Sequence, residues 1–152
     1  METTVDFSLA ERLAGDPHRV GVALRAFYAI ADRWGLKADD ARRLLGSPSE
    51  STYFEWKRKP PSSLSPDSMV RISYLLGMAA LLERLFATAP ERANAWVSQP
   101  NSGPLTEGST ALEYMLDGGL VAMDELFGQL QSDAGFGSPS RASSSSSKRV
   151  YA

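Results

Sequence analysis

The sequence predicts an all-α protein of two small helical lobes packed together, and three observations predict it. Apolar residues recur at helical spacing in several windows, as in Val20, Leu24, Phe27, Ile30, Ala31 and Trp34. No window alternates strictly between apolar and polar residues with turn residues at its ends, so strands are not expected. Charge also divides the chain. Residues 18–60 carry nine bases and five acids (+4), whereas residues 89–133 carry Arg92 against seven acids (−6). The formal net charge of −2 therefore conceals a basic N-terminal lobe and an acidic C-terminal one, a pattern that suggests two surfaces with different partners.

Residues 1–17 show little periodicity and read as a leader or a loose first turn. The stripe from Val20 to Trp34 forms a long helix that Gly35 stops. Lys37 to Leu45 is a short helix ended by Gly46. Ser47-Pro48-Ser49 is turn chemistry, and Ser49 or Ser51 caps a third helix, Glu50 to Lys57. Lys59-Pro60-Pro61-Ser62-Ser63 is a stiff polar loop. Ser65 then caps, and Pro66 opens, a long helix with the stripe Met69, Ile72, Leu75, Leu76, Ala79, Leu82 and Phe86. Gly77 inside it costs about 1 kcal/mol relative to alanine.

Pro90 starts another helix through Ala95, Trp96 and Val97, and Gln99 to Pro104 is a loop. Thr110 or Ser109 caps a helix containing Leu112, Met115 and Leu116. Asp117-Gly118-Gly119 breaks it, and a last helix carries Leu120, Met123, Leu126, Phe127 and Leu130. From Gly135 the composition collapses to serine, glycine and small residues, too little apolar surface to order alone. The chain thus divides into a leader (1–17), a first domain (18–88), a second domain (89–133) and a flexible tail (134–152).

Composition excludes much chemistry. A length of 152 residues with 43% apolar content supports one compact domain or two small lobes with a real core. Zero cysteines remove disulfide scaffolds, thiolate metal sites and thiol catalysis. His18 has no second imidazole to share a metal and reads as a surface residue near a helix start. Asp39-Asp40 and Asp124-Glu125 are neighbours in sequence, so their side chains diverge on a helix. Trp34, Trp56 and Trp96 each lie beside a helical stripe and read as packing residues. No catalytic constellation survives, so we expect a non-enzyme without metal or cofactor. Glu2, Asp6 and Glu11 sit where a secretory signal needs positive charge, and the longest apolar run, Leu75 to Leu82, falls short of the roughly 20 residues that span a bilayer. We expect a soluble cytoplasmic protein with no membrane partner.

The segment from Trp34 to Lys59 has the layout of a helix-turn-helix: a support helix, a short helix, a tight turn and a second short helix. Such a second helix enters the DNA major groove. Here it presents Ser49, Ser51 and Thr52 at its start, and Lys57, Arg58 and Lys59 stand at its end to reach phosphates. Glu50 and Glu55 place negative charge on the same helix, and +4 is a modest excess for a DNA reader. Three packed core helices with a solvated basic end fit the same pattern.

The C-terminal half reads Trp96, Gln99-Pro100-Asn101, Gly108-Ser109-Thr110-Ala111-Leu112-Glu113-Tyr114-Met115 and Gly118-Gly119-Leu120. It resembles the toxin-binding domain of the Xre/MbcA/ParS family of antitoxins. Upstream, Trp34-Gly35-Leu36, Ala41-Arg42-Arg43-Leu44-Leu45-Gly46, Thr52, Trp56, Leu64-Ser65-Pro66-Asp67 and Arg71-Ile72 resemble that family's Xre-like helix-turn-helix. The resemblance covers about residues 18–132, with one departure, Ala111, where many relatives have proline.

The resemblance implies an antitoxin of a type II toxin–antitoxin system, encoded beside a RES-domain toxin that consumes NAD or transfers ADP-ribose from it. The C-terminal domain is then toxin-binding and covers the toxin's NAD pocket. The N-terminal domain self-associates, as a homodimer or within a larger hetero-oligomer, and binds operator DNA. Carried onto this chain, the toxin-binding residues are Trp96, Gln99, Pro100, Asn101, Glu107, Gly108, Ser109, Leu112, Glu113 and Asp117. An acidic lobe suits a pocket that must accept an anionic dinucleotide. Arg141, Lys148 or Tyr151 in the tail offers a second plug. A stand-alone Xre-like transcriptional regulator with an acidic protein-interaction lobe fits the same residues, as does an interaction module that does not bind DNA.

Overall fold

The structure is a computed structural model and describes residues 7–135. Among these the fold is all-α, with seven α-helices, one 3-10 turn and no strand beyond an isolated antiparallel bridge between Pro100 and Thr110. Residues 136–152, with the proposed plug residues Arg141, Lys148 and Tyr151, lie outside the described residues, as do residues 1–6. The chain divides into two compact units between Leu76 and Gly77, inside the fifth helix; the sequence reading draws its boundary later, at 88/89.

The first unit holds α1 (Ser8–Ala14), α2 (Pro17–Arg33), α3 (Ala38–Leu44), α4 (Glu50–Arg58) and the start of α5 (Pro66–Leu85). Where the sequence suggests a leader or a loose first turn over residues 1–17, Ser8–Ala14 form the helix α1. It packs on α2, and the Leu64 N–H donates to the Ala14 carbonyl at 2.9 Å. Its buried residues are two alanines, Ala10 and Ala14, so it carries no apolar stripe to read. The Asp16 carboxylate caps α2 by accepting the His18 and Arg19 N–H groups at 3.0 and 3.3 Å, and Pro17 takes the first helical position. The expected stripe, from Val20 and Leu24 through Phe27 to Trp34, is buried. His18 is exposed; with Leu13, Val22, Ile72 and others it lines an open cavity of about 370 Å³.

The second unit holds the rest of α5, α6 (Pro90–Ala95), the 3-10 turn (Trp96–Ser98) and α7 (Ala111–Asp133). The 3-10 turn contacts both α6 and α7. Met78, Leu82, Val97, Met115, Met123, Leu126 and Leu130 are the buried interior of this unit. Gly77 has a packing reason: a Cβ there would lie 2.6 Å from the Phe127 ring. The break expected at Asp117-Gly118-Gly119 falls on Gly119, whose φ of 64° and ψ of −142° interrupt α7. That region of backbone space is close to glycine-only. No helix among the described residues is long and apolar enough to cross a membrane.

Candidate nucleic-acid and partner interfaces

The turn between α3 and α4 is held from several directions. The Ser47 and Gly46 N–H groups donate to the Arg42 and Arg43 carbonyls at 3.0 and 3.1 Å, closing the end of α3. The Arg42 guanidinium donates to the Pro48 carbonyl at 2.8 Å and to the Asp39 carboxylate at 2.7 Å. That second bond holds the Asp39 carboxyl below the usual carboxylate range. The Ser68 hydroxyl donates to the Leu45 carbonyl at 2.8 Å, which fastens the start of α5 to the same turn.

Of the two candidate caps, Ser49 is the one used. Its Oγ accepts the Thr52 N–H at 3.2 Å and its hydroxyl donates to the Thr52 Oγ1 at 2.8 Å. Ser49 and Thr52 are thus engaged with each other, whereas Ser51 is exposed with its Oγ 3.4 Å from that of Ser49. At the other end Arg58 is the last residue of α4 and Lys59 its C-cap, both exposed. Lys57 Nζ sits 5.9 Å from the centre of the Tyr28 ring. α4 packs on α2 through aromatic rings: Tyr28 lies 5.2 Å from Tyr53, and its hydroxyl donates to the Tyr53 carbonyl at 2.6 Å. Burial, with Tyr53 adding, pushes the Tyr28 phenol up, so it stays a neutral donor. Tyr28→Phe should cost about 1 kcal/mol of stability by removing that bond, read as a lower urea midpoint.

In the second unit, residues 99–110 form a loop held by hydrogen bonds within itself. Asn101 is 5% exposed. Its N–H donates to the Ser109 carbonyl at 3.1 Å, and its carbonyl accepts the Gly108 N–H and the Thr106 hydroxyl, each at 2.7 Å. Its side-chain Oδ1 accepts the Gly103 N–H at 2.7 Å. The Ser109 hydroxyl donates to the Thr106 carbonyl at 2.8 Å. Glu107, in the left-handed region with φ 49°, precedes Gly108 at the turn. Thr110 is the cap of α7: its Oγ1 accepts the Glu113 N–H at 2.9 Å, and the Glu113 carboxylate accepts the Thr110 N–H at 2.9 Å, a full capping box.

The expected toxin-binding residues therefore fall into two groups. Gln99, Pro100, Glu107, Gly108, Glu113 and Asp117 are exposed. Trp96 and Asn101 are buried, and Ser109 and Leu112 are half-buried. Asn101→Ala should cost about 1–3 kcal/mol, because it leaves the Gly103 N–H without its buried acceptor. A thermal melt with a midpoint within a degree of wild type would contradict that account.

A family model described as the antitoxin Xre-like helix-turn-helix domain matches residues 16–77. The uncharacterized protein y4oB of Sinorhizobium fredii (strain NBRC 101917 / NGR234) is 44% identical over 108 residues, 71% of this chain and 81% of that relative. The chain belongs to the Xre-type antitoxin family. No solved structure matches it. The matched helix-turn-helix of this antitoxin-family chain ends one residue beyond the division between the compact units. The aligned 108 residues are longer than the whole first unit, so the likeness to y4oB continues into the second.

Three features of this antitoxin-family chain have no counterpart among the expected site residues. Thr106 is buried and supports Asn101. The Tyr114 hydroxyl donates to Glu125 Oε1 at 2.5 Å across the break in α7, and this bond pushes the Tyr114 phenol up to about 12. Phe54, in the middle of α4, is 46% exposed. In the run Glu50 to Arg58 the four-residue helical spacing groups Phe54 with the polar Glu50 and Arg58, which is a sequence signal for its exposed face. Nothing in sequence marks Thr106.

Proposed function

We propose that this chain is the antitoxin of a type II toxin–antitoxin pair. Its C-terminal unit binds a RES-domain toxin and covers the toxin's NAD pocket, while its helix-turn-helix binds operator DNA of its own operon. It acts in the cytoplasm, as a homodimer or as a hetero-oligomer with the toxin. The observation that carries the reading is the loop of residues 99–110, whose backbone is pinned internally through Asn101 while Gln99, Pro100 and Glu107 stay exposed. A preorganised loop loses little freedom on docking. The excess of acids around it suits a pocket built for an anionic dinucleotide.

Co-expression with the neighbouring gene product tests this directly, scoring growth and cellular NAD. The expected result is restored growth with a maintained NAD pool. Continued NAD loss in the presence of the antitoxin sinks the reading. Glu107→Lys with Asp117→Lys should weaken inhibition most at low salt, where charge attraction is least screened. Glu113 is left alone in that variant because its carboxylate holds the start of α7. A stand-alone regulator is the second reading, favoured by the helix-turn-helix match being contained almost wholly in the first compact unit. It predicts promoter binding with no capture of a RES-domain protein.

A further inference from the structure

The geometry points to Phe54 as a reader of a thymine methyl group in the major groove, a role that rests on the operator-binding reading above. Among the described residues the large apolar side chains left exposed are Leu9, Val22, Phe54 and Val121, and Phe54 is the aromatic one. At about 100° per residue, Glu50, Phe54, Lys57 and Arg58 share one face of α4, with Ser51 and Glu55 along its edge. All six are exposed, while Tyr53 is buried. Phe54 therefore stands at the centre of the solvent-facing side of the helix that such folds place in the groove. Three cations follow it, Lys57, Arg58 and Lys59, which match the charge of a phosphate backbone rather than that of a basic protein surface.

A phenylalanine in that position has no hydrogen bond to offer. The feature of a base pair it can recognise in the major groove is the apolar C5-methyl group of thymine. The ring is also braced. It packs edge-on against Tyr53 at 5.3 Å and 80°, Tyr53 packs on Tyr28 at 5.2 Å, and Tyr28 packs on the buried Phe27 at 5.3 Å. An aromatic chain thus runs from the interior of the unit to the surface of α4. A ring held this way gives up little rotamer freedom when it meets a base.

The test uses the full-length protein and a duplex selected by it from a random library, resynthesised with deoxyuridine in place of each thymine in turn. Deoxyuridine lacks only the methyl group. Wild-type affinity should fall about three- to fivefold at the contacted thymine, the size expected for one methyl buried against a ring. Phe54→Ala should bind thymine and deoxyuridine versions alike, and Phe54→Leu should keep part of the preference. The salt dependence of Phe54→Ala should match wild type, since the cations that pair with phosphates are all retained. A thymine preference that survives in Phe54→Ala overturns the proposal. So does a wild type indifferent to deoxyuridine at every position, or a Phe54→Ala variant whose defect lies in toxin capture alone. If no duplex is enriched, operator binding itself fails; an enriched duplex without methyl discrimination removes Phe54 alone. Should Phe54→Ala misfold, the wild-type scan and Phe54→Leu decide the matter.

Discussion

Replacing Lys57, Arg58 and Lys59 together by alanine should lower affinity for the upstream promoter DNA by about 100-fold at moderate salt. It should also flatten the dependence of log affinity on log salt by about two to three, one unit for each phosphate no longer neutralised. The three residues end α4, and all three are exposed. Their contributions should differ. Lys57 is drawn toward the Tyr28 ring, so its share of phosphate binding should be smaller than that of Arg58 or Lys59. Positive charge at a helix C-terminus also favours the helix, by about 0.3–1 kcal/mol, so a slightly lower melting point should accompany the weaker binding. Fluorescence anisotropy across a salt series measures both quantities. An unchanged slope would mean that the basic end of α4 does not face a nucleic acid, whatever the change in affinity.

The sequence marks the elements well where the signal is local. Ser65 and Thr110 cap helices through atoms three residues away, and such chemistry is visible in a short window. The Gly118-Gly119 break is local in the same sense. α1 is invisible because it is anchored from a distance, by Leu64, and buries alanines rather than a stripe. At the site the motif Gln99-Pro100-Asn101 with Gly108-Ser109-Thr110 is legible, but its meaning is mixed. The backbone and Oδ1 of Asn101 and the hydroxyls of Ser109 and Thr110 are engaged inside the loop or on the α7 cap, so much of the motif's specificity is that of a folding element. The sequence also proposes Ser49 and Thr52 for base recognition, and the structure finds them bonded to each other. Phe54 escapes a reading that looks for hydrogen-bonding side chains.

Gly119→Ala should abolish or sharply weaken toxin capture while leaving promoter binding near wild type. A φ of 64° with ψ of −142° is a conformation an alanine enters at a cost of about 1–3 kcal/mol. The chain can avoid that cost by continuing α7 as an unbroken helix, which alanine favours. The Tyr114–Glu125 bond reports which happens. In a straight helix eleven residues would separate those two Cα atoms by about 16 Å along the axis, beyond the combined reach of a tyrosine and a glutamate. The bond therefore exists because the chain turns at Gly119. In Gly119→Ala its absence should bring the Tyr114 phenol down from about 12 toward the ordinary value near 10. Ultraviolet titration of the phenolates reads that shift, with Tyr114→Phe as the control that removes the group. Toxin capture at wild-type strength, with Tyr114 shifted, would show that the turn in α7 does not shape the binding surface. A wild-type titration curve with capture abolished would place the effect at Gly119 itself. The expected pairing, a downward phenol shift together with abolished capture, ties the toxin-facing surface to the angle of α7, and through it to a glycine that the helix alone would reject.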